Sequence, residues 1–193
     1  MEHLYPLCPG ATYEGDWFKG SIPLNIVAGS NTMIDSTNSF REFHSLLNPA
    51  LVVGTNVTLW RSSLATETNG VIEIGDYCYL SNAALVSAKR ISIGSRVFIA
   101  VGTTIVDSDF HPLDPLKRME DILALSPTGN RANRPVIGSA EVIIEDDVWI
   151  GFNATILKGV RIGKGAVIEP GSVVVSDVPA GGRVSGNPAK LVS

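Results

Sequence analysis

From Ile144 onward every sixth residue is a branched aliphatic: Ile144, Ile150, Ile156, Ile162, Ile168 and Val174. A smaller or β-branched residue recurs four places after most of them, at Val148, Ala154, Val160, Ala166 and Ser172. Small residues or carboxylates follow directly at Glu145, Gly151, Gly163 and Glu169. The register returns upstream at Ile93, Ile99 and Ile105 and at Ile74, Leu80 and Val86, with a weaker copy at Val53 and Leu59. A period of six fits neither an α-helix nor an ordinary amphipathic strand. It is three strand steps of two, so each sixth side chain can point the same way. A tight turn after each six-residue unit lets three units close a triangular coil, and stacked coils bury one another's aliphatics as an interior ladder. The turns favour small residues that tolerate positive φ, which is the expected reason for Gly75, Gly94, Gly163 and Gly171. A β-sandwich has no reason to hold six-residue spacing through successive units, so the pattern predicts an all-β solenoid.

The whole chain, residues 1–193, reads as one domain. Residues 1–50 are its irregular or degenerate N-terminal part, with Pro6, Pro9, Gly10, Gly15 and Gly20 breaking the first twenty positions. Ile22, Ala28, Ile34, Phe40 and Leu46 keep the six-residue spacing and suggest degenerate coils, while Ser39-Phe40-Arg41-Glu42 also reads as a capping box for a short helix. Coils are the favoured reading of residues 21–70. The period stops at Asp109-Phe110-His111-Pro112 and resumes near Val142. Residues 112–140 are therefore an inserted loop, of the kind that in a solenoid is either functional or disordered. Asp114 before Pro115 is a helix start, and Ser126-Pro127 ends the pattern. Leu116, Met119 and Leu123 share one face of that short helix and should pack against a coil wall, of its own or of a neighbouring subunit. Residues 178–193 leave the repeat as a C-terminal tail.

Composition narrows the class. Apolar residues make up 45% and charged residues 18%, which excludes a disordered chain. The formal net charge is −4, from 15 Lys+Arg and 19 Asp+Glu, which argues against nucleic acid or anionic lipid as the main partner. Cys8 and Cys78 are too few for a disulfide framework or a Cys-based zinc site. The start, Met1-Glu2-His3-Leu4-Tyr5-Pro6, lacks a signal peptide's basic region and apolar run, and no apolar run reaches membrane-span length. A soluble cytoplasmic protein is expected.

Three histidines are present, His3, His44 and His111. Counting sixes from Ile93 passes Ile99 and Ile105 and lands on His111, where the coil opens into its insertion. A cleft can form there beside a rigid wall, so His111 is either a catalytic base or a surface histidine in a turn. Neutral imidazole can take the proton from a nucleophile. Asp109 would either orient the ring through its other nitrogen or cap a turn. A zinc site of three converging histidines is not expected, since His3 and His44 lie far off in the N-terminal part. No metal ligand set is assigned.

Runs such as "IGKGAV", "IEPGSV" and "IGSRVF", with "VDSDFHPLDP", "DDVWIG" and "GNPAK", resemble the hexapeptide-repeat acyltransferases, in particular their maltose and galactoside O-acetyltransferase branch. The resemblance implies a left-handed parallel β-helix. It implies an acyl-CoA-dependent enzyme in which His111 deprotonates a hydroxyl of a sugar or similar acceptor, with acetyl-CoA or another acyl-CoA as co-substrate. N-acylation of an aminosugar is the alternative, because a histidine base serves an amine too. A non-catalytic β-helix scaffold is the alternative of another class. By alignment Asn82 would contact the acceptor, or simply be a left-handed turn asparagine. Trp149 would flank the CoA arm or pack at a subunit contact. CoA would run past Gly151, Pro170, Val175, Ser176 and Lys190. Val175-Ser176 stands where many relatives have Thr-Lys, so a phosphate-pairing lysine is missing, and Lys190, Arg183 or Lys164 would supply the charge. The oxyanion donor is unassigned, with backbone N–H groups around Gly151 as candidates. A homotrimer is expected, one coil face packing on its equivalents around a three-fold axis. Arg131 and Arg134 are placed near the cleft mouth, either to meet an anionic acceptor or as solvated loop charges.

Overall fold

The computed structural model describes residues 4–192, so His3 lies outside the described residues. Three sheets make the walls of a parallel β-helix, and each coil contributes one short strand to each wall. The first wall has nine strands, the second six and the third five. One full coil runs from Ile72–Ile74 on the second wall, through Tyr79–Ser81 on the first, to Ala84–Ser87 on the third. Ile91–Ile93 then restarts the second wall, pairing in parallel with Ile72–Ile74 below and Val142–Ile144 above. Two antiparallel pairs close the ends of the first wall, Tyr5–Pro6 on Met33–Ile34 and Arg183–Gly186 on Ala189–Leu191.

The six-residue aliphatics fill the interior. Ile93, Ile99, Ile105, Ile144, Ile150, Ile156, Ile162, Ile168 and Val174 are all buried, as are the intervening Val148, Ala154, Val160, Ala166 and Ser172. Val86 departs from the expected ladder. The strand Ala84–Ser87 is four residues long, Leu85 points inward opposite Ile105, and Val86 is half-buried on the outside. Residues 21–70 are coils, with strands at Ile26–Ala28, Leu51–Val53, Thr58–Trp60 and Ser63–Thr66. A single 3₁₀ turn, Thr37–Phe40, replaces the short helix. Its cap is Ser36 rather than Ser39, and Leu46 falls on the surface.

The corner glycines answer to packing more than to φ. Of the four singled out, only Gly171 has positive φ, +70°. At Gly75 an added Cβ would lie 2.6 Å from the carbonyl carbon of Gly94, and at Gly94 it would lie 2.7 Å from the Asp146 amide nitrogen. Positive φ falls two residues later, at Asn31, Asn56, Tyr77, Arg96, Asp147 and Gly165. Gly75→Ala must therefore push stacked coils apart, and a loss of about 2–4 kcal/mol in urea unfolding is expected. An unchanged midpoint would rule out this stacking role.

Asp16 ties the N-terminal segment to the first coil. Its carboxylate is 3% exposed and accepts the Ser36 hydroxyl at 2.6 Å, the Thr37 N–H at 3.0 Å, the Phe18 N–H at 3.2 Å and the Thr37 hydroxyl. Burial by itself raises the pKa of such a group, but these donors outweigh it and hold the carboxyl below the usual range. A depressed folded pKa gives stability that is full above the unfolded value near 4 and is lost as pH falls through the folded value. Asp16→Asn should cost about 1–3 kcal/mol at pH 7 and flatten the drop in melting temperature below pH 4. Calorimetry at pH 7, 4 and 3 measures both.

Candidate active site

Thr104–Val106 is the middle strand of the third wall, and after it the chain leaves the coil. Buried Asp107 anchors the exit. Its carboxylate accepts N–H groups from Ala88 at 2.6 Å and Lys89 at 2.8 Å, and the Ser87 hydroxyl at 2.8 Å. Phe110 follows with φ +60°, a left-handed residue that turns the backbone into the loop. The His111 N–H donates to the Asp109 carbonyl at 2.6 Å. Helix α1 (Pro115–Leu125) then begins as expected, with the Asp114 side chain accepting the Lys117 N–H at 2.9 Å.

Helix α1 does not turn its aliphatic face to this chain's own coil wall, which leaves the neighbouring subunit of the two expected surfaces. Leu116, Met119 and Leu123 are exposed, and the residues it buries are Asp121 and Ala124. The reason is Asp121. Its Oδ2 lies 2.6 Å from His111 Nδ1, and its Oδ1 accepts Arg134 Nε at 2.7 Å. Turning the aliphatic face to the wall would break these charge-assisted bonds, each worth about 1.5–3 kcal/mol.

Burial pushes the Asp121 pKa up, but the bonds from Arg134 and His111 outweigh this and hold the carboxyl below its ordinary range. Burial likewise pushes the Arg134 guanidinium down, and its bonds to Asp121 and Glu67 more than restore it. Asp121 therefore stays an anion. An ionised carboxylate can only accept, so Nδ1 carries a hydrogen, and in the neutral ring the lone pair is then on Nε2. Among the described residues Nε2 makes no hydrogen bond to protein. The His111 side chain is 50% exposed and lines a cavity of about 350 Å³ with Ser63, Ala65, Val86, Phe110, Leu125 and the charged groups of Glu67 and Arg134.

Asp121 is thus the carboxylate on the ring, whereas Asp109 pairs with Lys158 Nζ at 2.6 Å. Asp121 is hidden in the sequence because it lies in the second turn of helix α1 rather than beside His111. The available signal was a carboxylate on the face of the helix opposite its exposed aliphatics. Arg134 is not a solvated loop charge. It donates to Asp121, Glu67 and, at 3.0 Å, the Phe110 carbonyl. Arg131 reaches the cavity mouth and pairs with Glu67 at 3.0 Å.

The remaining candidates are spread over the β-helix. Asn82 has φ +45° in the corner that precedes the third wall, a column shared with Arg61, Gly102, Asn153 and Gly171. Its side chain lines a second cavity of about 370 Å³ with Trp17, Asp35, Asn38, Ser39 and Arg61. Asn82 and His111 thus stand at opposite edges of the third wall, separated by roughly 10–14 Å of strand. Gly151 and Pro170 meet in the Asn82 corner, where a Cβ on Gly151 would lie 2.6 Å from the Pro170 nitrogen. The Gly151 N–H already donates to the Ile168 carbonyl at 2.8 Å, so it is no oxyanion donor. Val175 and Ser176 are exposed at the other edge, following Val173–Val174. Trp149 sits on the outside of the first wall, in register with Phe98, which stacks on Tyr79 at 5.3 Å. Of the basic candidates for CoA phosphates, Arg183 pairs with Glu169 and Lys164 with Asp147. Lys190, opposite Ser185 on the last strand, has no ion-pair partner among the described residues. Neither do three or more His, Cys, Asp or Glu side chains there gather into a metal-binding group. His44 Nε2 faces Glu42 at 3.2 Å. No described helix is long and apolar enough to cross a membrane.

Coils and repeat together define the class, a hexapeptide-repeat left-handed parallel β-helix. Residues 141–176 match the family described as bacterial transferase hexapeptide (six repeats). Over 54 residues the chain is 59% identical to the 2,3,4,5-tetrahydropyridine-2,6-dicarboxylate N-acetyltransferase of Staphylococcus aureus, covering 28% of this chain and 23% of that protein. The match thus spans under a quarter of the length of these relatives. A hexapeptide-repeat-containing acetyltransferase from Vibrio cholerae superposes with TM-score 0.55 at 28% identity, over 80% of this chain and 76% of that one. AntD, an N-acyltransferase from Bacillus cereus solved with dTDP-4-amino-4,6-dideoxyglucose and coenzyme A, superposes with TM-score 0.65 at 22% identity, over 86% and 82%. The fold is common to all of these structures. These matches do not single out the maltose O-acetyltransferase branch.

Proposed function

We propose that the protein is an acyl-CoA-dependent N-acyltransferase with His111 as its general base. The observation that carries this reading is the 2.6 Å contact of His111 Nδ1 with buried Asp121, which leaves Nε2 as the open base at the cavity mouth. The acceptor amine attacks the thioester carbonyl. A C–N bond forms, the C–S bond breaks, and Nε2 takes the amine proton and returns it to the CoA thiolate. Asp121 holds the ring and stabilises the imidazolium that forms. CoA is placed along Gly151, Pro170, Val175 and Ser176, with Lys190, which has no ion-pair partner among the described residues, as the cation for its phosphates. Asn82 and Trp149 are kept as contacts to acceptor and CoA arm, contributed by a neighbouring copy in a homotrimer. Such a trimer would answer the separation of Asn82 from His111 within one chain.

N-acylation takes precedence over the O-acylation expected from sequence, because the named relatives with a stated acceptor chemistry are N-acyltransferases. The same base would serve a hydroxyl, so geometry alone does not separate the two. Thiol release from acetyl-CoA, measured against matched amino- and hydroxy-sugars, decides between them. An amine-dependent rate and a hydroxylamine-stable product are expected. A hydroxylamine-labile product would return the assignment to an ester.

A further inference from the structure

We infer that the cavity beside His111 is an acyl-chain pocket for the aliphatic tail of an acyl-CoA longer than acetyl, an inference that rests on the acyltransferase reading above. The cavity holds about 350 Å³. An apolar cavity of on the order of 150 Å³ already admits benzene, so a six-carbon chain fits with room to spare. Its apolar walls are Ala65 and Val86 from the outside of the third wall, and Phe110 and Leu125 from the loop.

The decisive feature is that the charged side chains of the lining are largely paired within the protein. Arg134 is occupied by Asp121, Glu67 and the Phe110 carbonyl. Glu67 Oε1 accepts from both Arg131 and Arg134. Thr66 Oγ1 accepts the N–H groups of His44 at 3.0 Å and Ser45 at 2.9 Å, and Glu42 faces His44 and Arg41. Away from His111 Nε2 and the Ser63 hydroxyl, a polyhydroxylated acceptor would trade its water hydrogen bonds for few in return, whereas a methylene chain has none to lose. The cavity at Asn82 is the contrasting case. Asp35, Asn38, Asn82, Arg61 and Ser39 line it, a set with no aliphatic side chain. Polar ligand chemistry belongs there, and the apolar tail belongs beside His111. With the thioester carbonyl at His111, the tail extends under Leu125 between Val86 and Phe110.

The test is titration calorimetry of the intact protein with CoA, acetyl-CoA, butyryl-CoA and hexanoyl-CoA. Each buried methylene is worth roughly fourfold in affinity. Hexanoyl-CoA should bind at least about tenfold tighter than acetyl-CoA. Val86→Trp and Ala65→Leu fill the cavity from different positions, and either should bring the hexanoyl-to-acetyl ratio close to one. Two filling variants are used so that a folding defect in one leaves the other readable. Equal affinity for the two acyl-CoAs, or a ratio that survives both substitutions, overturns the pocket while leaving the acyltransferase reading intact. Failure to bind any of the four compounds would instead sink that reading.

Discussion

His111→Ala should lower turnover by about 10²–10⁴-fold and leave acetyl-CoA affinity within about twofold of the parent. The ring is the one group at the cavity with an open, basic nitrogen. Ser63 is a hydroxyl, Glu67 is held by two arginines, and Arg134 is a cation bound on three sides. Without the imidazole the acceptor must lose its proton to water, and the tetrahedral intermediate forms from a poorer nucleophile. The measurement is single-turnover thiol release together with acetyl-CoA titration. Full activity in the variant would remove His111 from the mechanism, whatever its position.

Asp121→Asn should be nearly as damaging to turnover, on the order of 10²-fold or more, by another route. An asparagine fits the same space, but its amide can donate to Nδ1. That stabilises the tautomer with hydrogen on Nε2, and the lone pair turns away from the acceptor. Arg134 also loses a charged partner, although Glu67 and the Phe110 carbonyl still hold it. The effect should fall on kcat and not on the KM for acetyl-CoA. Nitrogen-15 shifts of the His111 ring give the direct readout, with the hydrogen on Nδ1 in the parent and on Nε2 in the variant. A kcat loss with no change of tautomer would make Asp121 a folding element only.

These two expectations come from different levels of the molecule. His111 was legible as a register position. The aliphatic period runs through Ile99 and Ile105, and a histidine at the next step, followed by proline, marks where the coil opens. Asp121 was not legible. Helical periodicity in residues 115–125 weighs aliphatics and carboxylates by hydropathy, and on that measure Leu116, Met119 and Leu123 should face a coil wall, its own or a neighbour's. In the fold they face out, because a buried carboxylate shared by His111 and Arg134 fixes the rotation of the helix.

The corner glycines show the same division. Their spacing announced tight turns, but the expected cause was left-handed backbone. The close approach of one coil to the next excludes a Cβ at Gly75 and Gly94, and the left-handed residue sits two places on. A linear pattern records that a small residue is required, while the competing reasons for it differ only in three dimensions.

By itself the sequence determined the repeat, the stacking of three-walled coils, the point where they open and the histidine at that point. Each of these follows from periodicity, a property of neighbouring positions along the chain. The partner of that histidine, the rotation of helix α1, the commitment of Arg134 and the contrast between a polar and an apolar cavity were decided by tertiary structure alone. They depend on which side chains from distant coils and the loop meet in space. Glu67 reaches Arg134, and Arg134 reaches Asp121, only because the loop folds back across the third wall.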